Sequence, residues 1–281
     1  MVASAGPAGG RVAAQTTATM AHNDSVTTIA RILVLFDMPP ILTQFGRGAA
    51  RHAARPDAPP GFWIPQFPFV YSEAVPVILV DHPLVHDTLL ALRDTGTDPE
   101  KFRRLAVRIS VLLVSEAMKD LATVPAEVAT PMGVAQGRRI GADVVVVPVL
   151  RAGLGMLDAV LELWPAARVG HIGLQRDETT AIASQYYAKL PAGLHDSYVL
   201  MIDPMLATGG SAVAALALLR SAGARDVRII CIVAAPEGIA LVEREFPSVR
   251  IYTPVVDRGL NEQKYIVPGL GDFGDRLYGT L

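Results

Sequence analysis

Between residues 143 and 256 the chain sets short, almost wholly apolar runs against segments with helical patterning. The runs are "DVVVVPVL", "ARVGHIGL", "YVLMI", "VRIICIVAA" and "VRIYTPVV", and among them lie "GLGMLDAVLELW", "AVAALALLRSAG" and "PEGIALVEREF". A strand that is apolar at successive positions offers no face to water, so both sides must be covered, and intervening helices supply that cover as crossovers. The pattern predicts an α/β fold, a doubly wound, mostly parallel sheet with helices on both faces. Such sheets bind ligands at the carboxyl ends of their strands, so the residues that follow each strand are where chemistry is sought.

The 281 residues fit one α/β domain with an extra segment. Residues 1–74 differ from the rest: "MVASAGPAGG" and "AQTTAT" are small and polar, and prolines interrupt "RPDAPPGFWIPQFPF". They read as a poorly ordered N-terminal extension before a domain at 75–281. The apolar "IARILVLF" begins only at residue 29, which is not the layout of a secretory signal. Met20 is a second candidate start, and an acid-free first 20 residues leaves an organelle-targeting peptide as an alternative.

No apolar run approaches the roughly 20 residues of a membrane span, so a cytoplasmic protein without a membrane partner is expected. A formal net charge of -2 gives no basic field for nucleic acid. Cys231, the single cysteine, sits in an apolar run and reads as a small buried side chain. Ahead of the alternating region, "TDPEKFRRLAVRISVLLVSEAMKDLA" predicts a helix capped by Asp98 with Pro99 in its first turn. Phe102, Leu105, Ala106, Ile109, Leu112 and Leu113 form its apolar face.

The stretch "VLMIDPMLATGGSAVAALALLRSAG" ends a buried strand on Asp203 and enters a helix through Thr208, Gly209, Gly210 and Ser211. Glycines let backbone amides converge on an anion, and the helix turns its positive end to the same place. Neither a Lys-Ser/Thr pair nor a G-x-G-x-x-G fingerprint is present, so this is neither a P-loop nor a dinucleotide site. Asp203 is placed to accept bonds from two sugar hydroxyls, and a phosphorylated pentose fits both ends of the loop. The plainer alternative is a tight turn with Asp203 as a helix cap.

The strand-and-loop "IDPMLATGGS" resembles the signature of the type I phosphoribosyltransferases, and its form, with Pro204 where other branches carry a second acid, is similar to the uracil branch. The resemblance runs from about residue 76 to the end. It implies transfer of phosphoribose from 5-phosphoribosyl 1-pyrophosphate (PRPP) to uracil, with Mg2+ carried by PRPP and water rather than by a protein metal site. It makes Asp203, Pro204, Met205, Leu206, Ala207, Thr208, Gly209, Gly210 and Ser211 the PRPP loop.

Arg151 follows "VVVVPVL" directly and suits bidentate phosphate contact, against the alternative of an ordinary surface ion pair. The resemblance makes its loop the pyrophosphate loop. Arg176 in "LQRDETT" reads by itself as part of a solvated polar turn, and only the resemblance makes it a pyrophosphate contact. "LNEQKYIVPGLGDFGDRLYGT" has the glycines and proline of a loop able to approach a flat ring, or of a simple terminal turn. The resemblance makes residues 257–281 a hood over the base, with Ile266, Gly271, Asp272 and Phe273 on uracil and Asp272 also near PRPP.

Two departures stand out. Phe273 occupies a place where alanine is common, and Ala183-Ser184-Gln185-Tyr186 replaces a Pro-Val-Pro-Tyr turn in a region that resembles an arm covering the site or joining subunits. Arg151, Asp203 and Asp272 are the candidate catalytic residues. The resemblance further implies a homo-oligomer and, as in some members, activation by GTP. An enzyme for another base, an RNA-binding regulator and a noncatalytic relative on the same fold are the competing readings.

Overall fold

The structure is a computed structural model that describes residues 77–176 and 183–280. The N-terminal extension read from the sequence lies outside the described residues.

Seven strands form the main path of the sheet. In spatial order they are β1 (Val77–Leu79), β12 (Arg250–Thr253), β10 (Asp226–Ile230), β8 (Ser197–Ile202), β4 (Asp143–Leu150), β6 (His171–Arg176) and β7 (Ala183–Lys189), and the short β5 (Arg168–Val169) also pairs with β4. All neighbours run parallel except β6 and β7. The register sets Val145 beside Val199 and Val199 beside Val227, so the centre of the sheet is aliphatic across its width.

Side chains alternate across the strands, and each face builds its own core. Val144 and Val146 of β4 with Leu200 and Ile202 of β8 join one cluster with α1 (Pro83–Arg93), α2 (Pro99–Ala117), α3 (Leu154–Leu163) and α6 (Phe273–Tyr278). Val145 and Val147 with Val199 and Met201 join the other, under α4 (Gly210–Ser221) and α5 (Pro236–Glu245). Each fully buried valine or leucine is worth roughly 1.5–3 kcal/mol, which is why the middle positions of β4 and β8 are apolar.

Helix α2 begins as its sequence dictates. The Asp98 carboxylate accepts the Lys101 amide at 2.8 Å with Pro99 at the first turn. Of its apolar face, Phe102, Leu105, Ala106, Ile109 and Leu113 are buried and Leu112 is half-buried.

Three features differ from the sequence reading. "ARVGHIGL" is not one strand: Gly170 separates β5 from β6. "VRIICIVAA" also breaks, because after Ile230 the chain leaves the sheet and β11 (Val233–Ala234) pairs instead with β9 (Met205–Leu206). The third is an antiparallel hairpin of β2 (Thr123–Thr130) and β3 (Gly133–Ile140), which no sequence pattern had indicated.

The chain leaves β4 through α3 toward β6, and leaves β8 through α4 toward β10, on the opposite face. β4 and β8 are neighbours, so the winding reverses between their carboxyl ends, and a crevice opens at such a reversal. Arg151 follows one of these ends and Asp203 the other.

Candidate active site

The loop after β8 is held open by its backbone. The Pro204 carbonyl accepts the amides of Ile232 and Val233 at 2.9 and 3.1 Å, and the β9–β11 ladder fixes Met205 and Leu206. Gly209 then takes φ +82°, and a Cβ there would lie 2.8 Å from the Gly238 carbonyl oxygen. Only glycine meets both demands. The first helical bond of α4 runs from the Val213 amide to the Gly209 carbonyl at 2.9 Å, so the amides of residues 210–212 have no partner within the helix. They carry the positive end of the helix dipole, beside the Thr208 and Ser211 hydroxyls.

Asp203 is not a helix cap; that position belongs to Gly209. Its backbone amide donates to Ile230 O at 3.1 Å, anchoring the residue where β8 ends. Burial pushes its carboxyl up to about 7, against the opposing pull of the Met205 amide. A carboxylate held this way is poised to gain from donors or a cation brought by a ligand.

Arg151 is exposed, with its guanidinium carbon 5.9 Å from the centre of the Tyr278 ring. Among the described residues no carboxylate pairs with it. The Tyr278 hydroxyl donates to Arg151 O at 3.3 Å, tying this loop to the C-terminal segment. The Leu150–Arg151 peptide is cis.

The C-terminal segment folds over these two loops. It runs through the hairpin of β13 (Gly259–Leu260) and β14 (Ile266–Val267), then a glycine-rich bend, then α6. Arg93 of α1 grips it: its two terminal nitrogens donate to the two Asp257 oxygens at 2.9 and 2.7 Å, and one also donates to Gly269 O at 2.7 Å. The Gly269 amide returns a bond to Asp257 at 2.9 Å. Arg276 donates to the carbonyls of Leu270 and Asp94 at 2.9 and 2.6 Å and also to that of Leu92.

Asp272 caps α6, its Oδ1 accepting the Asp275 amide at 2.8 Å. Phe273 turns its ring into the core, 1% exposed and edge-on to Phe102 with centroids 5.1 Å apart. The large side chain therefore packs between α2 and α3 while its backbone stays at the bend.

These pieces enclose a cavity of about 330 Å³. Arg151, Asp203, Met205, Leu206, Ala207, Thr208, Gly209 and Ser211 line it from the sheet, and Ile266, Gly271, Asp272 and Phe273 from the hood. Pro204 and Gly210 do not line it: the first holds the loop through its carbonyl and the second opens α4. Arg176 ends β6, and its side chain lies outside what the structure describes. Sequence reasoning missed Lys264 and Tyr265, which line the cavity just before Ile266, and Leu174 of β6.

A cradle of amides and hydroxyls, a half-buried carboxylate, an unpaired arginine and a backbone hood thus face one space. The family model for uracil phosphoribosyltransferase matches residues 78–280. The chain belongs to the uracil phosphoribosyltransferase family. That family membership makes it a pentosyltransferase by kind, and it accounts for the chain from the first strand to the hood.

The uracil phosphoribosyltransferase of Dictyoglomus thermophilum is 51% identical over 205 residues, covering 73% of this chain and 99% of that protein. The uracil phosphoribosyltransferase of Symbiobacterium thermophilum is 49% identical over 205 residues, 73% of this chain and 98% of its own length. A solved structure of the AQ2163 protein from Aquifex aeolicus superposes with a TM-score of 0.69 at 38% identity, over 72% of this chain and 97% of that one.

Proposed function

We propose that the protein converts uracil and PRPP to UMP and diphosphate, each part of the cavity holding one part of the reactants. The observation that carries this is the meeting of Asp203, the Thr208–Ser211 cradle, Arg151 and the hood around one cavity at the winding reversal. The cradle takes the 5′-phosphate, and Asp203 accepts bonds from the ribose 2′ and 3′ hydroxyls. Arg151 and Arg176 take the diphosphate, and the backbone at Ile266, Gly271 and Phe273, with Asp272, presents uracil.

The bond from C1′ to diphosphate oxygen breaks and its electron pair leaves with the diphosphate. The uracil N1–C1′ bond forms, and the N1 proton passes to water. No covalent enzyme intermediate is needed. Holding the ring in line and stabilising the charge on diphosphate do the catalysis.

The donor set suits Mg2+ carried by the substrate. The cavity offers two carboxylates, Asp203 and Asp272, that would face the ion beside PRPP oxygens and water. Magnesium commonly binds through one or two carboxylates plus substrate phosphates. Bound so, it would supply neutralisation of charge on the diphosphate.

A homo-oligomer belongs to the same proposal. The β2–β3 hairpin is exposed along nearly all its length, with Val124 and Val128 on one face, Val134 on the other and Met132 at the tip. A two-stranded ribbon is marginal by itself, and a second copy covers it. Val134→Lys is expected to shift the elution volume toward a smaller species; an unchanged volume removes the hairpin from the interface. A cytoplasmic location, expected from the sequence, and an effector role for GTP, implied by the resemblance, belong to the same proposal.

The deciding experiment incubates the full chain with Mg2+, uracil and PRPP and follows UMP by chromatography, with and without GTP. Absence of UMP, or a preference for hypoxanthine or orotate, overturns the proposal.

A further inference from the structure

Lys264 has φ +67° and is the only non-glycine with a positive φ among the described residues. It ends the turn between β13 and β14. Its amide donates to Asn261 O at 3.0 Å, and the Asn261 side chain accepts the Tyr265 amide at 2.9 Å. Glycine takes this conformation without steric cost, whereas a side chain crowds the backbone. A lysine here is therefore not what the turn itself selects, and strained backbone of this kind gathers at functional sites.

The side chain is exposed and lines the same cavity as Arg151, Thr208 and Ser211. Among the described residues no carboxylate pairs with it. The hairpin that carries it is fixed against the cradle side of the site. The Leu260 amide donates to Glu237 Oε1 at 3.1 Å, and Gly238, in the same helix as Glu237, abuts Gly209. Cationic Lys264, cationic Arg151 and the hydroxyl donors converge on one space, and the ligand chemistry that answers all of them is a phosphate group.

We propose that Lys264 is a further substrate-binding residue, its ammonium pairing with a phosphate of the phosphoribosyl donor at the mouth of the cavity. This rests on the phosphoribosyl reading of the site. Lys264 thereby helps to retain the donor beneath the hood and acts on binding rather than on bond breaking.

The test compares the full-length protein with Lys264→Gly and Lys264→Arg. Calorimetric titrations use ribose 5-phosphate and inorganic diphosphate separately, and turnover is measured with PRPP. The glycine variant suits the turn, so its Tm is expected to hold or rise by about 2 °C. It should bind one of the two compounds about ten-fold more weakly, the compound affected telling which phosphate Lys264 meets. The KM for PRPP rises by a similar factor at unchanged kcat, and Lys264→Arg restores both.

If the unmodified protein binds both compounds and Lys264→Gly binds them equally well, the role of Lys264 is refuted while the site stands. If the unmodified protein binds neither, the phosphoribosyl reading falls and the role of Lys264 with it.

Discussion

Removing the Asp257 carboxylate isolates what the hood contributes, because that side chain touches the hood and not the cavity. In Asp257→Ala, Arg93 loses its paired bonds at 2.9 and 2.7 Å and keeps the Gly269 carbonyl at 2.7 Å, while the Gly269 amide loses its acceptor. The Asp257 side chain is 5% exposed and that of Arg93 19%. Breaking a buried pair by removing one partner costs about 3–5 kcal/mol. Because Arg93 retains some access to water, the low end, about 3 kcal/mol, is expected. For a domain of some 200 residues this lowers Tm by about 6–12 °C.

The functional consequence is selective. Gly269 immediately precedes the bend that carries Gly271 and Asp272, so slack there raises the KM for uracil, by about ten-fold for a loss of about 1.4 kcal/mol in the bound complex. The cradle belongs to β8 and α4, so affinity for ribose 5-phosphate should hold within about two-fold. Scanning calorimetry gives the first quantity and steady-state kinetics with a binding titration the second. Asp257→Asn, which keeps an acceptor for the Gly269 amide, is expected to fall between the two proteins. An unaltered Tm, or equal losses toward uracil and ribose 5-phosphate, would refute this account of the clamp.

The Asp203 carboxyl rises from 3.8 to about 7 on folding. The folded chain keeps a proton that the unfolded chain has lost between these values, so this group's contribution to stability falls as pH climbs from 4 to 7. Because Asp203 is half-buried and faces the cavity, the shift corresponds to at most about 4 kcal/mol. Asp203→Asn, which cannot ionise, is therefore expected to melt above the parent protein at pH 8, to converge with it near pH 4, and to lose at least about 100-fold in turnover. Coincident melting profiles across this range would contradict burial as the cause. Gly209→Ala places a methyl 2.8 Å from a carbonyl oxygen at φ +82°, and is expected to weaken ribose 5-phosphate binding by at least about ten-fold and to lower Tm. Phe273→Leu should cost about 1–2 kcal/mol in denaturant titrations and leave the KM for uracil within about two-fold, since the ring packs on Phe102.

The layered fold was legible because β4, β8, β10 and β12 must hide both faces, a demand written as short, mostly apolar runs that admit only a few buried polar side chains such as Arg228 and Thr253. Where both sides of a break are equally buried, that signal is blind. Cys231 and Ile232 are as apolar as the strand before them, yet there the chain departs to pair with β9. The β2–β3 hairpin was invisible for the opposite reason, since strands exposed on both faces carry no alternation. The cradle could be read from Gly209 because its conformation demands a particular residue. Lys264 escaped notice because there a conformation typical of glycine is occupied by something else.

The order of the polypeptide gives the clamp a temporal meaning. Residues 257–280 emerge last of those described, yet their anchors, Arg93 and Phe102, belong to the first two described helices. A nascent chain could thus assemble its sheet and phosphate cradle while still tethered to the ribosome, with no roof over them. A product stopped prematurely before Asp257 would be a sugar-phosphate binder unable to seat a base, and ligand capture would be separated from turnover by a single stretch of translation.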